Sequence, residues 1–205
     1  MEEVPNGDWP RLLLILPIIL SCLLAASPML LFGDGEEGGF ISREDLSKNQ
    51  LETLEKSEIA RSPVDVREGM MALSQAILLD SGSLIVAGTW EGKLELANWS
   101  IQSYGGRDIF VAELTFEGIW ASVHSAGSSG EDSITLLSIS GDLLSLWGRV
   151  NGDARFGSEV LDHEHGWSPT AFEAHFYIEG GWNGVWQIDE DLLPRTSTGL
   201  WCGFT

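Results

Sequence analysis

The sequence has little cysteine and lacks the local motifs that mark common enzyme classes. Only two of its 205 residues are cysteines, Cys22 and Cys202. Cys22 lies in an apolar segment, so we expect neither a disulfide framework nor a cysteine-type metal site. No Gly-x-Ser-x-Gly elbow, phosphate-binding loop or dinucleotide fingerprint occurs. We therefore expect a protein that is not an enzyme.

Basic residues are also scarce. The chain has 11 Lys and Arg residues against 31 Asp and Glu residues, a formal charge of -20, and most of this excess follows residue 68. A field of this sign repels nucleic acid, so we expect no DNA or RNA partner. It attracts divalent cations or basic ligands, and it equally favours solubility.

One long stretch carries no charge at all. Leu12–Phe32 has 21 residues, which as a helix span roughly 31 Å, close to the ~30 Å thickness of a bilayer core. We interpret residues 1–32 as an uncleaved single-pass anchor in the cell membrane. Two alternatives are signal-peptidase cleavage near Ala25–Ser27 and a lipoprotein box ending at Cys22.

The next part, residues 33–68, is predicted to be an acidic linker. Its first residues, 33–39, are Gly, Asp and Glu only, a composition typical of a flexible spacer. Ser42 with Asp45 gives an N-cap pattern, which predicts a short helix over Ser42–Arg61 that ends before Pro63. Its apolar stripe is thin, so we expect a solvated stalk.

Residues 69–205 differ in composition from the preceding part, with glycine-rich turns between short apolar stretches. This pattern predicts an all-β domain with two sets of four strands. The first set is Ala72–Asp80, Leu84–Trp90, Asp108–Thr115 and Ile119–Ala126; the second is Ser133–Ser140, Leu143–Val150, Thr170–Ile178 and Val185–Asp189.

The two sets resemble each other. Corresponding pairs are Gly88 with Gly148, Gly92 with Gly152, Phe110–Leu114 with Phe172–Phe176, and Glu117–Trp120 with Asn183–Trp186. Four strands per copy favour β-propeller blades. Leu192–Phe204 resembles the start of a further copy, so we predict two blades and the beginning of a third. Because closed propellers typically have four to eight blades, three explanations remain: truncation, association of several chains, or an open stack.

The first copy also resembles a known family. Gly105–Leu114, Glu117–Trp120 and Gly127–Asp132 are similar to the SBBP-type β-propeller repeat of bacterial and archaeal secreted and cell-surface proteins. The resemblance covers about residues 71–205 and implies a propeller fold outside the membrane, with no catalytic residues. The second copy departs from the pattern at Trp167–Thr170, where the family has a Gly-Gly-x-Asp turn.

Several side chains are candidates for binding. Asp108 and Asp132 each follow a glycine-containing turn, where a carboxylate accepts hydrogen bonds from turn N–H groups. The alternative for both is a calcium site. His163 and His165 share one face if Val160–His165 is extended, which would suit zinc, although no third ligand is identifiable.

The soluble part is rich in tryptophan. Trp120 and Trp186 occupy matching repeat positions and are predicted to pack in the core. Trp99 and Trp167 are predicted to lie in loops, where an indole can stack on a sugar ring.

We expect a membrane-anchored extracytoplasmic module for binding or structural interaction. Residues 12–32 would hold the membrane, and a protein or glycan partner or self-association would engage the blades. One alternative is a propeller-fold hydrolase or lyase with a loop-borne acidic site. Another is a fragment of a larger adhesin-like surface protein.

Overall fold

The computed structural model describes residues 41, 43–60, 66–163 and 168–194. Most of this part is β-sheet with antiparallel neighbours, so the all-β prediction is confirmed. The apolar segment 12–32 and the predicted third copy beyond Pro194 lie outside the described residues. Within the described ranges, no helix has the length and apolar character needed to cross a membrane.

One helix and thirteen strands make up the described fold. In chain order they are α1 (Lys48–Lys56), β1 (Ile59–Ala60), β2 (Met71–Leu78), β3 (Leu84–Trp90), β4 (Lys93–Leu96), β5 (Trp99–Gln102), β6 (Asp108–Leu114), β7 (Trp120–Gly127), β8 (Ser133–Ser140), β9 (Leu143–Val150), β10 (Ala154–Phe156), β11 (Glu159–Leu161), β12 (Thr170–Tyr177) and β13 (Gly181–Gln187). Short 3-10 turns span Arg43–Asp45 and Glu190–Leu192.

The eight predicted strands form two four-stranded antiparallel units. The first unit contains β2, β3, β6 and β7, and the second contains β8, β9, β12 and β13, each in chain order across its sheet. The last strand begins at Gly181 rather than at the predicted Val185, because Gly181 and Trp182 continue its pairing with β12.

The two units repeat the same internal packing. In the second strand of each, Gly88 and Gly148 pair with Phe110 and Phe172 of the third strand. A Cβ atom would lie 2.8 Å from the Phe110 ring at position 88 and 2.9 Å from the Phe172 ring at position 148. Only glycine leaves room for these rings. The predicted matches of Gly88 with Gly148 and of Phe110 with Phe172 therefore reflect the same packing in both units.

Register shifts in the strand pairing also occur at matching positions of the two units. The first strand of each unit has a register shift, between Leu73 and Gln75 in β2 and between Ile134 and Leu136 in β8. The pairing between the third and fourth strands also shifts register once in each unit. Because a bulge re-aims the side chains that follow it, its repetition at matching positions shows that the units share one local geometry.

The register corrects the predicted match between Trp120 and Trp186. Trp120 pairs with Leu114, the last residue of β6, whereas Trp182 pairs with Phe176 in the second unit. Trp182 is therefore the counterpart of Trp120. Trp186 is 49% exposed, so its predicted core position was wrong, because the strand begins earlier and carries a bulge.

Each unit also contains a hairpin between its second and third strands. These are β4–β5 and β10–β11, and both turn through a left-handed residue, Ala97 at φ 51° and Gly157 at φ 62°. Strand β10 pairs with β7 of the first unit, Arg155 opposite Gly127 and Phe156 opposite Ala126. The second unit's hairpin therefore extends the first unit's sheet.

Two hydrophobic cores result from this arrangement. One lies between the units and includes Ile85, Val111, Leu146 and Phe172. The other covers the opposite face of the first unit, where Leu46 and α1 pack over its strands.

The predicted solvated stalk was therefore wrong. Leu46 and Leu54 are each only 6% exposed. The helix is also shorter than predicted, because Ser47 rather than Ser42 forms the N-cap. The Ser47 side chain accepts a hydrogen bond from the Gln50 N–H, and the Gln50 side chain accepts one from the Ser47 N–H.

Gln50 fixes this helix to the first unit. Its side chain is fully buried and donates to the Gly82 carbonyl at 3.0 Å. Gln50→Leu should lower the free energy of unfolding by about 1–3 kcal/mol, because Gly82 and Ser47 each lose a partner. Chemical denaturation measures this, with exposed Asn49→Ala as the control on the same helix. An unchanged midpoint for Gln50→Leu would contradict the assigned role.

Candidate functional site

The structure brings Asp108 and Asp132 together beneath the end of β7. Asp108 is the first residue of β6, and Asp132 immediately precedes β8. The residues are 0% and 3% exposed, respectively. A Cβ atom on Gly127 would lie 2.6 Å from Asp108 Oδ1 and 2.7 Å from Asp132 Oδ2. The glycine thus leaves the space in which the two carboxyl groups meet.

Asp132 closes the loop that joins the two units. Its Oδ2 accepts from the Ser128 N–H at 2.6 Å, and its Oδ1 accepts from the Ser128 hydroxyl at 2.7 Å. The N–H of Asn151, which follows β9, donates to the same Oδ1 at 3.0 Å. The predicted role as acceptor for turn N–H groups is confirmed for this residue.

Asp108 is less well satisfied. Its Oδ2 accepts from the Tyr104 N–H, whereas the buried Oδ1 has no hydrogen-bond partner within the described part of the chain. Burial raises the pKa of Asp108 to about 7; the Tyr104 N–H opposes this rise and the neighbouring Asp132 carboxylate adds to it.

The pKa of Asp132 is raised as well. Burial raises the pKa of Asp132, and the hydrogen bonds from Ser128 and Asn151 act against this rise. Because Asp132 has more donors, its anionic form is the better stabilised of the two. Of the two carboxyl groups, Asp108 therefore favours the protonated form more.

The fold encloses both carboxyl groups. A general acid or base must reach the proton that it transfers, and neither carboxyl group is open to solvent. No group of three or more His, Cys, Asp or Glu side chains suited to a metal occurs within the described ranges. The calcium site stays a prediction.

Comparison with known proteins finds no match among family models, curated proteins or solved structures. The resemblance to SBBP-type repeats therefore stays a prediction.

The predicted histidine pair is only partly described. His163 Nδ1 lies 2.7 Å from the Thr170 hydroxyl, and its backbone N–H donates to Asp153 Oδ1 at 2.8 Å. His165 lies outside the described residues. The contacts of His163 bridge β11 to the start of β12, and its zinc role stays a prediction.

The predicted loop tryptophans have different outcomes. Trp99 is the first residue of β5 rather than a loop residue, because it pairs with Leu96. It is 37% exposed, and its indole Nε1 donates to the Trp120 carbonyl at 2.9 Å. Trp167 lies outside the described residues. No described contact joins Trp99 to the carboxyl pair.

Sequence reasoning selected each aspartate separately but not the pair. The residues are separated along the chain, and their contact depends on the β6–β7 pairing and on Gly127. The sequence did carry one signal for the pair. Each Asp follows a glycine-containing turn and lies at, or just before, the start of a strand, and the two strands border the same junction.

Proposed function

We propose that this chain is a membrane-anchored extracytoplasmic module, built from β-propeller-type blades, that acts by binding or structural interaction rather than by catalysis. The observation that carries the proposal is the register-matched repetition of the two four-stranded units. They pack face to face through a shared apolar core, as neighbouring propeller blades do.

The crossing hairpin supports a blade-like junction. Strand β10 belongs to the second unit along the chain but pairs with β7 of the first. The indole of Trp182 also donates to the Ser125 carbonyl of β7 at 3.0 Å. Stacked repeats that bury a common face and share an edge form a rigid scaffold on which loops and outer faces are free to bind.

The absence of enzyme motifs supports a non-catalytic role. Asp108 and Asp132, the acidic pair whose pKa values are raised, are buried at the junction between the units, where their hydrogen bonds hold the connecting loop. Residues 12–32 supply the proposed anchor, because their uncharged length suits a bilayer core.

The test uses the full chain in cells. We expect it to stay in the membrane fraction after alkaline carbonate washing and to be degraded by protease added to intact cells. Leu20→Arg places a charge at the centre of the apolar segment, which costs about 2.5–3.5 kcal/mol on insertion, and it should release the chain. Leu192→Arg, on an exposed residue of the folded part, is the matched control. Protease protection until lysis would overturn the proposed location.

A further inference from the structure

The second unit presents an aromatic face on the side away from the first unit. Trp147 of β9 pairs with Glu173 of β12, which pairs with Trp186 of β13. Because side chains alternate across a strand, these three project opposite to Leu146 and Ala174, which lie in the core between the units. We call Trp147, Glu173, His175, Tyr177 and Trp186 the aromatic platform.

The first unit has a different surface at the same positions. By the shared register, Trp147 corresponds to Ala87, Glu173 to Val111 and Trp186 to His124. Ala87 and Val111 are buried against the second unit. Small apolar residues thus occupy two of these positions where the second unit covers the sheet, and the third, His124, contacts Phe176 of the second unit with ring centroids 4.8 Å apart. Trp147 and Glu173, which replace Ala87 and Val111 in the second unit, are unsuited to the same close stacking.

The platform is partly open to solvent, with Trp147 half-buried. Trp186 is 49% exposed and Tyr177 is 42% exposed. The side chains of His175 and Glu173 are 27% and 33% exposed. None of the platform's aromatic side chains belongs to either hydrophobic core. Packing therefore does not account for two tryptophans on this face.

Trp186 is held in one orientation. Its six-membered ring covers Gly184, where a Cβ atom would lie 2.5 Å from Cη2 and 2.8 Å from Cζ2. His175 contacts the ring edge-on, with ring centroids 4.8 Å apart. His175 in turn is 3.0 Å from Glu173 Oε1. A glycine beneath the indole and a hydrogen-bonded imidazole at its edge preorganise an exposed aromatic surface.

The spacing of the two tryptophans suggests an extended ligand. They lie on strands separated by one intervening strand, so their backbones are about 9–10 Å apart. This is close to the distance between alternate sugar rings in an extended β-1,4-linked chain. Glu173 lies between them, and the half-buried Ser138 and Ser145 of the next rows add hydroxyl groups. Such groups pair with sugar hydroxyls while indole faces cover the apolar faces of pyranose rings.

We propose that the aromatic platform binds a neutral β-1,4-linked polysaccharide, with alternate sugar rings on Trp147 and Trp186. The charge of -20 disfavours anionic polysaccharides. This inference rests on the proposed role as a binding module and names its ligand class.

The experiment uses the full chain in detergent with insoluble cellulose and chitin as probes. We expect the protein to be depleted from solution by at least one of them. Trp147→Ala and Trp186→Ala should each weaken binding by about tenfold, which is about 1.4 kcal/mol and lies within the range for one aromatic stacking contact. Phe116→Ala, which removes a 55% exposed ring from the first unit, is the control and should bind as the parent chain does.

Gly184→Ala tests the orientation of the indole separately. The three atoms nearest to the added methyl group all belong to the far end of the Trp186 ring, so the fold should persist while the ring moves. We expect weaker polysaccharide binding at an unchanged thermal midpoint.

Four results would overturn the inference: no depletion by either probe, parent-like binding by Trp186→Ala, equal loss in Phe116→Ala, or a fall in sedimentation mass on Trp186→Ala. The last would assign the face to a second copy of the chain. Failure to bind by a chain that is anchored and protease-accessible on intact cells would overturn this inference and leave the proposed function standing.

Discussion

Phe156→Ala is expected to lower the free energy of unfolding by about 3–5 kcal/mol, the range for removing a buried aromatic ring. Phe156 is 0% exposed and lies on β10, whose backbone pairs with β7. Its ring contacts Phe172 at 4.9 Å and Trp182 at 5.1 Å between centroids. The Phe156 side chain thus joins the first unit's sheet to the aromatic residues of the second unit's core. Its removal would leave a cavity at the junction between the two units.

Urea denaturation of the full chain, followed by tryptophan fluorescence and far-UV circular dichroism, measures this loss. Val160→Ala is the matched control because Val160 lies on the neighbouring strand β11 and is 57% exposed; its effect should stay below about 0.5 kcal/mol. Equal losses in the two variants would contradict the role of Phe156. Two separate transitions in the parent chain would show that the units unfold independently and that their junction adds little stability.

The strands were predictable because their signals are local. Residues Leu143–Val150 form a short, mostly apolar stretch next to a glycine turn, which predicted β9, and in the structure they alternate between half-buried and buried positions. Glycines at the turns marked where each strand ends. Because the pattern repeats, the sequence alone matched Gly88 with Gly148 and Phe110 with Phe172.

The hairpins and the helix contacts were not predictable in the same way. Strands β10 and β11 have three residues each, too few to show a period, and their place is decided by pairing with β7. In the sequence, Leu46 and Leu54 belong to a thin apolar stripe on a predicted helix that is otherwise charged. Their burial depends on an apolar sheet face that lies far away in the sequence, so no local pattern reveals it.

The tryptophan match failed for a related reason. Gly118-Ile-Trp120 and Gly184-Val-Trp186 look alike in sequence, but the strand pairing places Trp182 in the position of Trp120. A match of three residues does not specify register, whereas a full ladder of pairs does. The same ladder places Trp186 on the exposed face of the second unit rather than in the predicted core.

Asp108→Asn is expected to raise the free energy of unfolding at pH 8 by up to about 4 kcal/mol, because it removes a buried carboxyl group whose pKa is raised. The pKa of Asp108 is about 7 in the folded chain, against 3.8 as the ordinary value. Between about pH 4 and 7 the folded chain keeps a proton that the unfolded chain has released. The stability of the parent chain should therefore fall as the pH rises through this window and level off above it.

Asparagine has nearly the shape of the protonated acid and carries no charge. Its carbonyl oxygen can accept from the Tyr104 N–H, and its amide can donate towards Asp132. The variant should therefore lose most of the fall in stability between about pH 4 and 7. Asp142→Asn, at an exposed turn, removes the same charge from the surface and should keep the parental profile. If Asp108→Asn were instead less stable than the parent chain at pH 8, Asp108 would be an anion in the folded state, and a bound cation would become the better explanation for its buried oxygen.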